Sequence, residues 1–467
     1  MSPHPYAFAP FLLLLLSIAV IPHFHKKWWE SHYPLLALGF ASLTAIYYLV
    51  AFHDLTPVYG VGKEYVSFMI LIGSLFIVAG GIQIRINRRS TPIANVAFLL
   101  LGAVLSNLFG TTGAAMILIR PFLDFNSNRL RAYHVVFFIF IVCNIGGALT
   151  PVGDPPLLLG YLHGIPFIWV VQNLWPIWVI ATGLMLLTFY VIDSKNVHHN
   201  KTDQRASEEI LHKPLISVKG LYNLVFLGLI LISVFISNPP FVREFLMLLA
   251  AAASYFTTST SVHQENGFEF GPIREVAILF LGIFVTMVPA LQWLEPNASV
   301  LGLSTPGQYY WGSGVLSSIL DSAPTYLNFL TASMGTFVDP KIVHQVMQMV
   351  QSHGTRLVEG HSEEAGRTFA VLASAHPHLI AQGSASYQEI SIAYMLATRE
   401  VFLRGISAGS VIFGAVTYIG NGPNWIVKTM AERSGVSMPG FFDYIIRYAL
   451  PILLPLFLLI WLLFFRI

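Results

Sequence analysis

Charge and cysteine are both scarce in this 467-residue chain. Only 10% of the residues are Asp, Glu, Lys or Arg, whereas a soluble domain carries about 25%. Hydrophobic residues make up 55% of the chain, so water cannot be its main solvent and a membrane location is predicted. The single cysteine, Cys143, excludes a disulfide framework.

The chain also lacks the sequence features of several other protein classes. The formal net charge is only +2 and no long basic stripe occurs, which argues against a nucleic-acid partner. No P-loop, GxGxxG or GxSxG motif occurs in a sequence context that would support a nucleotide-driven pump or a common hydrolase. We also find no combination of a nucleophile with its base, and no set of metal ligands, that an intramembrane enzyme needs. We therefore expect a non-enzymatic protein without a cofactor, and the lipid bilayer as its main partner.

Charge-free stretches of the length that crosses a bilayer, ~20 residues, recur along the chain. A shorter apolar run precedes them, Phe11–Ile21, which has Lys26 and Lys27 after it rather than before it, so it predicts a first transmembrane helix and not a secretory signal. Further spans are predicted at Tyr33–Phe52, Tyr65–Ile84, Ala132–Gly153, Pro155–Ile192, Gly220–Val242, Phe245–Gln264, Val276–Leu294, Gly405–Val427 and Tyr448–Phe465.

Two other apolar stretches are interrupted midway by Gly, Ser, Thr and Pro, and we interpret them as re-entrant hairpins over residues 91–121 and 305–335. With both treated as hairpins, the basic residues collect on one side, as the positive-inside rule requires. The fold class is then an all-α polytopic membrane protein with about 10 full crossings. A multi-pass location in the cell (inner or plasma) membrane follows, with the N- and C-termini outside.

Each half of the chain places a hairpin before a helix that is broken by Gly, Pro and Asn, which predicts an inverted-repeat transporter with two hairpins and two broken helices. The predicted division is N-terminal scaffold helices at 1–62, a first inverted repeat at 63–193 (hairpin 91–121, broken helix 132–163), a cytoplasmic linker at 194–219, scaffold helices at 220–264, and a second inverted repeat at 265–467 (hairpin 305–335, exterior loop 336–398, broken helix 399–433, final helix 440–466).

Two isolated aspartates mark the predicted ion sites. Asp154 is the only charged residue between Arg131 and Asp193, and Asp321 is the only one between Glu295 and Asp339. A charged side chain inside a membrane is costly and usually functional. Together with carbonyls freed by the helix breaks, such a carboxylate suits Na⁺, and it could instead carry a proton. The alternative is that an aspartate here only caps the N-terminus of a half-helix.

Hydroxyl and amide side chains surround the two aspartates at the hairpin tips and helix breaks. Any one of them is more often a hydrogen-bonding partner between helices than a ligand. The predicted ion- and substrate-binding residues are Asp154, Asp321, Thr111, Thr112, Asn144, Thr150, Ser322, Thr325, Asn421 and Asn424, with Asp154 and Asp321 as the Na⁺ ligands.

At these residues the chain resembles the ion transporter superfamily, which includes citrate-transporter-like proteins and the NhaD-type sodium/proton antiporters. The matching segments are Asn144-Ile-Gly-Gly-Ala-Leu-Thr-Pro-Val-Gly-Asp154-Pro-Pro and Leu316-Ser-Ser-Ile-Leu-Asp-Ser-Ala-Pro-Thr325. The resemblance implies a scaffold domain, a mobile transport domain that moves like an elevator, and a homodimer. The Ser-Asn-Thr signature of dicarboxylate symporters is missing from both hairpin tips.

A secondary active transporter is therefore expected, and the leading hypothesis is sodium (or lithium)/proton antiport by alternating access. The alternative is cation-coupled symport of citrate or another organic anion. A passive channel or a membrane receptor remains a third interpretation of the same pattern.

Overall fold

A computed structural model describes residues 3–86, 90–199, 216–236, 241–266, 268–353 and 362–466. Within these residues the chain is helical except for one antiparallel pair of short strands, β1 (Gln83–Ile86) and β2 (Ile216–Lys219), a small departure from the predicted all-α class. In this part of the chain, eight helices are long and apolar enough to cross a membrane, or nine if one bent pair counts as a single span. The chain is thus a multi-pass membrane protein, with fewer candidate spans than the sequence predicted.

The helices of the first half overlap the predicted stretches, but α2 and α3 begin before the predicted spans Tyr33–Phe52 and Tyr65–Ile84, and the predicted single span Pro155–Ile192 is two helices. They are α1 (Ala9–Phe24), α2 (Lys26–Ala51), α3 (Thr56–Gly80), α4 (Pro92–Phe125), α5 (Ala132–Ile141), α6 (Pro155–Leu162) and α7 (Phe167–His199). The predicted linker at 194–219 is shorter than expected, because α7 continues to His199 and β2 begins at Ile216. Residues 200–215 of that linker lie outside the described part of the chain.

The remaining helices begin with α8 (Asn223–Val234), α9 (Val242–Thr257), α10 (Thr260–Asn266), α11 (Gly271–Asn297), α12 (Pro306–Ile319) and α13 (Ser322–Phe337). Those after residue 338 are α14 (Pro340–Gln351), α15 (Glu363–Ala375), α16 (Pro377–Gln382), α17 (Tyr387–Thr398), α18 (Glu400–Ile412), α19 (Gly422–Arg433), α20 (Phe441–Tyr444) and α21 (Leu450–Phe464). A π-helical turn, Ile445–Ala449, joins α20 to α21.

Helix α4 doubles back on itself and forms the first hairpin. Thr91 caps its N-terminus, and Gly110 interrupts it with a φ of 71°, a value that glycine adopts without strain. A straight helix of 34 residues would be about 50 Å long, yet Asn95 and Asn126 exchange side-chain hydrogen bonds of 2.8 and 2.9 Å. The two legs therefore lie side by side, with Gly110 at the tip.

Helices α12 and α13 form the second hairpin in the same way. Thr305 and Gln308 make a capping box at the start of α12, and the helix stops at Leu320, whose backbone is extended. The ring of Tyr309 lies 5.9 Å from that of Phe337, so the start of one leg packs against the end of the other. The tip is the dipeptide Leu320-Asp321.

The open end of the first hairpin is held by a buried carboxylate at the end of α7. Asp193 accepts two hydrogen bonds of 2.8 Å from the Arg129 guanidinium, one of 2.6 Å from the Tyr133 hydroxyl and one of 3.1 Å from Asn95. Charge-assisted bidentate pairs of this kind are strong and geometrically specific. They hold both legs of the hairpin against α5 and α7.

The predicted single spans at Gly220–Val242 and Phe245–Gln264 were wrong in detail. The first is reduced to the twelve residues of α8, with β2 immediately before it. The second is α9 and α10, which meet at an angle of 99°. The bend falls in the run Thr257-Thr-Ser-Thr-Ser261, where the hydroxyls of Thr257 and Thr258 donate to carbonyls of the preceding turn and favour a helix end.

The segment predicted as an exterior loop, 336–398, holds the four helices α14 to α17. They form a helical insert with an apolar core of its own, in which Val343, Val346, Leu372 and Ile390 are buried. Helix α14 has its buried residues at helical spacing, a pattern that predicts one amphipathic helix.

Candidate ion and substrate site

The carboxylate of Asp154 lies at the start of α6, where the sequence Gly153-Asp154-Pro155-Pro156 forces a helix to begin. Pro155 occupies the first helical position, and Asp154 before it has extended dihedrals (φ −145°, ψ 144°). The residue is only 1% exposed. Its side chain makes no capping bond to α6, so the capping interpretation fails for Asp154.

Two side chains from different parts of the fold donate to one oxygen of this carboxylate. The Thr111 hydroxyl, just after the first hairpin tip, lies 2.8 Å from Oδ1 of Asp154, and the Asn421 Nδ2 lies 3.0 Å from the same atom. The second oxygen, Oδ2, is buried and has no hydrogen-bond partner among the described residues. A buried carboxylate oxygen without a partner is unusual in a folded protein and requires an explanation.

A small cavity of about 30 Å³ adjoins Asp154 at the tip of the first hairpin. Gly110, Thr111, Thr112 and Val152 line it with Asp154, and its volume has room for one small ion or one water molecule. A side chain at Gly110 would approach the Val152 carbonyl oxygen to 3.3 Å, which places that carbonyl beside the tip. The donor set is hard oxygen, which suits Na⁺.

The first helix break is the segment Asn144–Asp154, which contains the 3₁₀ turn Ile145–Leu149. Hydrogen bonds to backbone groups join it to the first hairpin. The Thr150 hydroxyl donates to the Asn107 carbonyl at 2.8 Å, and the Thr111 N–H donates to the Gly153 carbonyl at 2.8 Å. The side-chain oxygen of Asn107 accepts from the N–H groups of Leu149 and Thr150. The hairpin tip and the break therefore form one unit.

The second helix break repeats this arrangement 267 positions later in the chain. Here the 3₁₀ turn is Phe413–Val416, and the Thr417 hydroxyl donates at 2.7 Å to the carbonyl of Ser318 in the second hairpin. Asn421 stands where Asp154 does, with closely matching dihedrals (φ −151°, ψ 139°). The backbone is thus reproduced, whereas the charge is not.

Close contacts between glycines shape both breaks. A Cβ on Gly153 would overlap the carbonyl oxygen of Gly147. A Cβ on Gly420 would lie 2.7 Å from the carbonyl oxygen of Gly414, closer than a normal contact. The two pairs are related by the same 267 positions. Each break folds into a tight loop that only glycine permits.

Amide side chains connect the two breaks to each other. Asn421 donates to the Cys143 carbonyl at 3.0 Å as well as to Asp154, and Asn144 donates to Oδ1 of Asn424 at 2.8 Å. Asn424 in turn donates to the carbonyls of Gly414 and Thr417 at 2.9 Å. The first and second halves of the chain meet at these amides.

A second cavity of about 750 Å³ lies against the second break. Asp321, Tyr418, Asn421 and Gly422 line it, together with Phe280 of α11 and other residues. The charged residues that line it are Glu30, Asp124, Glu265, Glu269, Glu275, Asp321, Arg120 and Arg433. Acidic groups outnumber basic ones, so the electrostatic field of the cavity favours cations.

Asp321 differs from Asp154 in its local role. Its Oδ1 accepts a hydrogen bond of 3.0 Å from the Ala323 N–H, so this aspartate does cap a helix, α13. It is partly exposed and lines the large cavity, whereas Asp154 lines the small one. The two predicted Na⁺ ligands therefore belong to separate cavities.

The structure sorts the other predicted site residues into two groups. Thr111, Thr112 and Asn421 line a cavity with one of the aspartates. Thr150, Thr325, Asn424 and the side-chain nitrogen of Asn144 bond to backbone groups or to each other. Ser322 is buried at the start of α13, and neither its hydroxyl nor Oδ1 of Asn144 has a hydrogen-bond partner among the described residues. Among the described residues, no group of three or more His, Cys, Asp or Glu side chains could hold a metal ion.

Sequence reasoning missed Asn107 as the residue that holds the first break, and Tyr418 and Gly422 as cavity residues. Asn107 is buried and uses its amide on Ala103 and Gly146 carbonyls as well. Aligning the two halves with a constant offset of 267 would have drawn attention to Gly153 and Gly420. No sequence signal we know of points to Tyr418.

Arg404 of α18 lines neither cavity. Its guanidinium donates to Oδ1 of Asn173 at 2.9 Å and lies 3.4 Å from the Glu400 carboxylate on its own helix. Arg120 donates to the backbone carbonyl of Glu265 at 2.8 Å. Neither arginine lies beside Asp154.

Comparison with known proteins agrees with this architecture. A search of curated proteins gave no significant match. A family model described as "Putative citrate transport" matches residues 3–465, which is nearly the whole chain. Because the match covers nearly the whole chain, the chain belongs to this family, which is part of the ion transporter superfamily.

Proposed function

We propose that the protein is a cation-coupled transporter of a citrate-class organic anion, working by alternating access. The observation that carries this proposal is the presence of two adjoining cavities of very different size. One has room for a single ion beside Asp154, and the other, about 750 Å³, lies within the range of small-molecule sites. Asn421 contacts the carboxylate in the first cavity and lines the second.

The small cavity is the proposed cation site. Its carboxylate is buried, and the unpartnered Oδ2 of Asp154 can bind Na⁺ or Li⁺, or accept a proton. Thr111 fixes the orientation of the carboxylate through Oδ1, which leaves Oδ2 available. A cation here removes the uncompensated charge that the structure otherwise buries.

The large cavity is the proposed anion site. Helices α13 and α19 begin at its wall, at Ser322 and Gly422, and helix N-termini favour the carboxylates of a bound anion. The cavity also carries Asp321 and five further acids, which repel a free polyanion. Binding of the anion therefore depends on prior neutralisation by cations, which is the basis of the proposed coupling.

The predicted domain organisation is part of this proposal. The matched geometry of the two breaks supports two repeats, at 63–193 and 265–467, which we propose to be inverted relative to each other. Residues 1–62 and 220–264 are the proposed scaffold, which forms a homodimer, with both chain termini outside. A mobile transport domain would contain the hairpins and broken helices, since the breaks and hairpin tips are joined by hydrogen bonds.

The experiment that tests the proposal is uptake of radiolabelled citrate into proteoliposomes of the purified protein. Inward gradients of Na⁺, Li⁺, K⁺ or H⁺ are imposed one at a time, with the membrane potential clamped. We expect citrate to accumulate above its outside concentration under one of these gradients, and the effect to disappear in Asp154→Asn. Asp339→Asn is the matched control, because Asp339 caps α14 in the helical insert and asparagine can cap equally well.

A second candidate is sodium (or lithium)/proton antiport, favoured by the acidic lining of the large cavity. The same vesicles, loaded with acid and a pH-sensitive dye, distinguish it. Internal alkalinisation on Na⁺ or Li⁺ addition, with no citrate uptake under any gradient, would establish antiport and refute the citrate proposal. Failure of both assays with a folded protein would refute both.

A further inference from the structure

The side chain of Asn421 connects the two cavities, because Asn421 lines the large one and bonds to Asp154 of the small one. It lines the large cavity, yet its nitrogen points to groups of the first half of the chain. Nδ2 lies 3.0 Å from Oδ1 of Asp154 and 3.0 Å from the carbonyl of Cys143. An amide nitrogen carries two hydrogens, so both are already donated.

This saturation limits what Asn421 can offer to a ligand. A carboxylate of an organic anion accepts hydrogen bonds and cannot donate one. Such a ligand obtains a hydrogen bond from Asn421 only if the amide releases Asp154 or Cys143. Both acceptors are buried, but Asp154 keeps the Thr111 hydroxyl as a second donor, so Asp154 is the partner that we take to be released.

Release of Asp154 makes its environment more favourable to a cation. The carboxylate has two hydrogen-bond donors, both on Oδ1, while Oδ2 has none among the described residues. When Asn421 is released, the buried Asp154 carboxylate keeps only the hydrogen bond from Thr111, and a cation then stabilises its charge more strongly. The same coupling is expected when the cation binds first. A cation bound to Asp154 weakens the hydrogen bond between the carboxylate and the Asn421 amide, so the amide becomes available to the anion.

We propose that Asn421 is the coupling residue, whose amide is exchanged between the Asp154 carboxylate and an organic anion in the large cavity. The cation at Asp154 and the anion then raise each other's affinity, although they occupy different cavities. This inference rests on the proposed function and assigns its coupling to one side chain. It also gives a reason for the difference between the breaks, since an aspartate at 421 could donate nothing to either partner.

Coupling between two binding sites is reciprocal, and this makes the proposal measurable without transport. Titration calorimetry on the purified protein in detergent gives the Kd of citrate with and without saturating Na⁺, and the Kd of Na⁺ with and without citrate. Where the uptake assay identifies another coupling cation, that cation replaces Na⁺. For the unsubstituted protein we expect the two ratios to agree and to be about tenfold or more, within the usual range of coupling energies.

In Asn421→Ala we expect both ligands to bind and both ratios to fall to about 1. Asn421→Ser supplies a second variant, because a hydroxyl has a single hydrogen and cannot donate to Asp154 and Cys143 together. Both Kd ratios of this variant should lie between those of Asn421→Ala and those of the unsubstituted protein. Asn297→Ala is the matched control, since Asn297 bonds only to the Trp293 carbonyl of its own helix among the contacts described. Its ratios should equal those of the unsubstituted protein.

The possible outcomes separate this inference from the proposed function. Undiminished ratios in both Asn421 variants would refute the coupling role and leave cation-coupled transport intact. An unsubstituted protein that binds citrate with no cation effect would refute the proposed function itself. Ratios that fall in Asn297→Ala as well would show a general loss of structure, and would also overturn the assignment to Asn421.

Discussion

The two helix breaks share a backbone and differ in charge. Thr150 and Thr417 each donate to a hairpin carbonyl, Gly153 and Gly420 each close against another glycine, and Asp154 and Asn421 have nearly equal dihedrals. One break ends in a buried carboxylate and the other in an amide that hydrogen-bonds to it. A repeated backbone thus supplies two positions that face each other, and side-chain chemistry makes one acidic and the other neutral.

The residues that the two breaks share serve the backbone conformation, and the residues that differ do not. Threonine and glycine recur because the loop geometry demands them in both places. Aspartate and asparagine differ although the backbone geometry is nearly the same, so the loop does not require the difference, and we propose that it serves ligand binding. The predictions below remove the difference first and then test the shared features.

The largest effect is expected from Asp154→Asn, which makes both breaks neutral. Asparagine keeps an oxygen that can accept from Thr111 and Asn421, so the fold should persist. Cation-dependent uptake should fall on the order of 100-fold, equivalent to about 2.7 kcal/mol, because the buried charge that attracts the cation is gone. Initial rates in proteoliposomes at saturating cation measure this, and a loss of less than threefold would remove Asp154 from the ion site.

Next in size is Gly153→Ala, compared with Gly420→Ala. A methyl group at Gly153 would overlap the Gly147 carbonyl and crowd Oδ1 of Asn107, whereas at Gly420 the nearest atom is 2.7 Å away. Overpacking of this kind costs roughly 1–3 kcal/mol, and we expect the larger loss at Gly153. Thermal unfolding in detergent tests the order, with Gly228→Ala as the control because a methyl group there meets open space. Equal loss of stability in all three variants would contradict the packing argument.

A smaller effect is expected from Asp321→Asn. Asparagine caps a helix about as well as aspartate, so the bond to the Ala323 N–H and the stability of α13 should be retained. If Asp321 contributes a second cation site, the apparent KM for the cation should rise about tenfold, equivalent to about 1.4 kcal/mol, with little change in melting temperature. A variant with unchanged cation dependence would reduce Asp321 to a helix cap.

The smallest effect is expected from Thr150→Val and Thr417→Val. Each removes one hydroxyl that donates to a hairpin carbonyl and accepts an N–H from the nearby glycine. Membrane hydrogen bonds of this type contribute about 0.6 kcal/mol on average, so the two variants should lose similar, small amounts of thermal stability. A clear inequality between them would show that the two breaks are less alike than their dihedrals indicate.

Much of this architecture was predictable from local sequence. Long apolar runs gave α1 to α3, α7 and α11, and Gly, Pro and Asn located the hairpin tips and both breaks within a few residues. The sequence predicted an exterior loop at 336–398 but not the helices within it, although α14 has a clear amphipathic pattern. The bend between α9 and α10 was missed because hydropathy alone does not register hydroxyl groups that bond to the backbone.

The sequence by itself determined that the chain lies in a membrane, where its helices break, and that Asp154 and Asp321 are isolated charges. Only the tertiary structure decided that Thr111 and Asn421 donate to Asp154 while Asp321 caps its own helix. The reason is physical. Hydropathy and helix breaking act over a few neighbouring residues, whereas Asn421 reaches Asp154 across 267 positions of chain, and only packing of the two halves brings them within 3.0 Å.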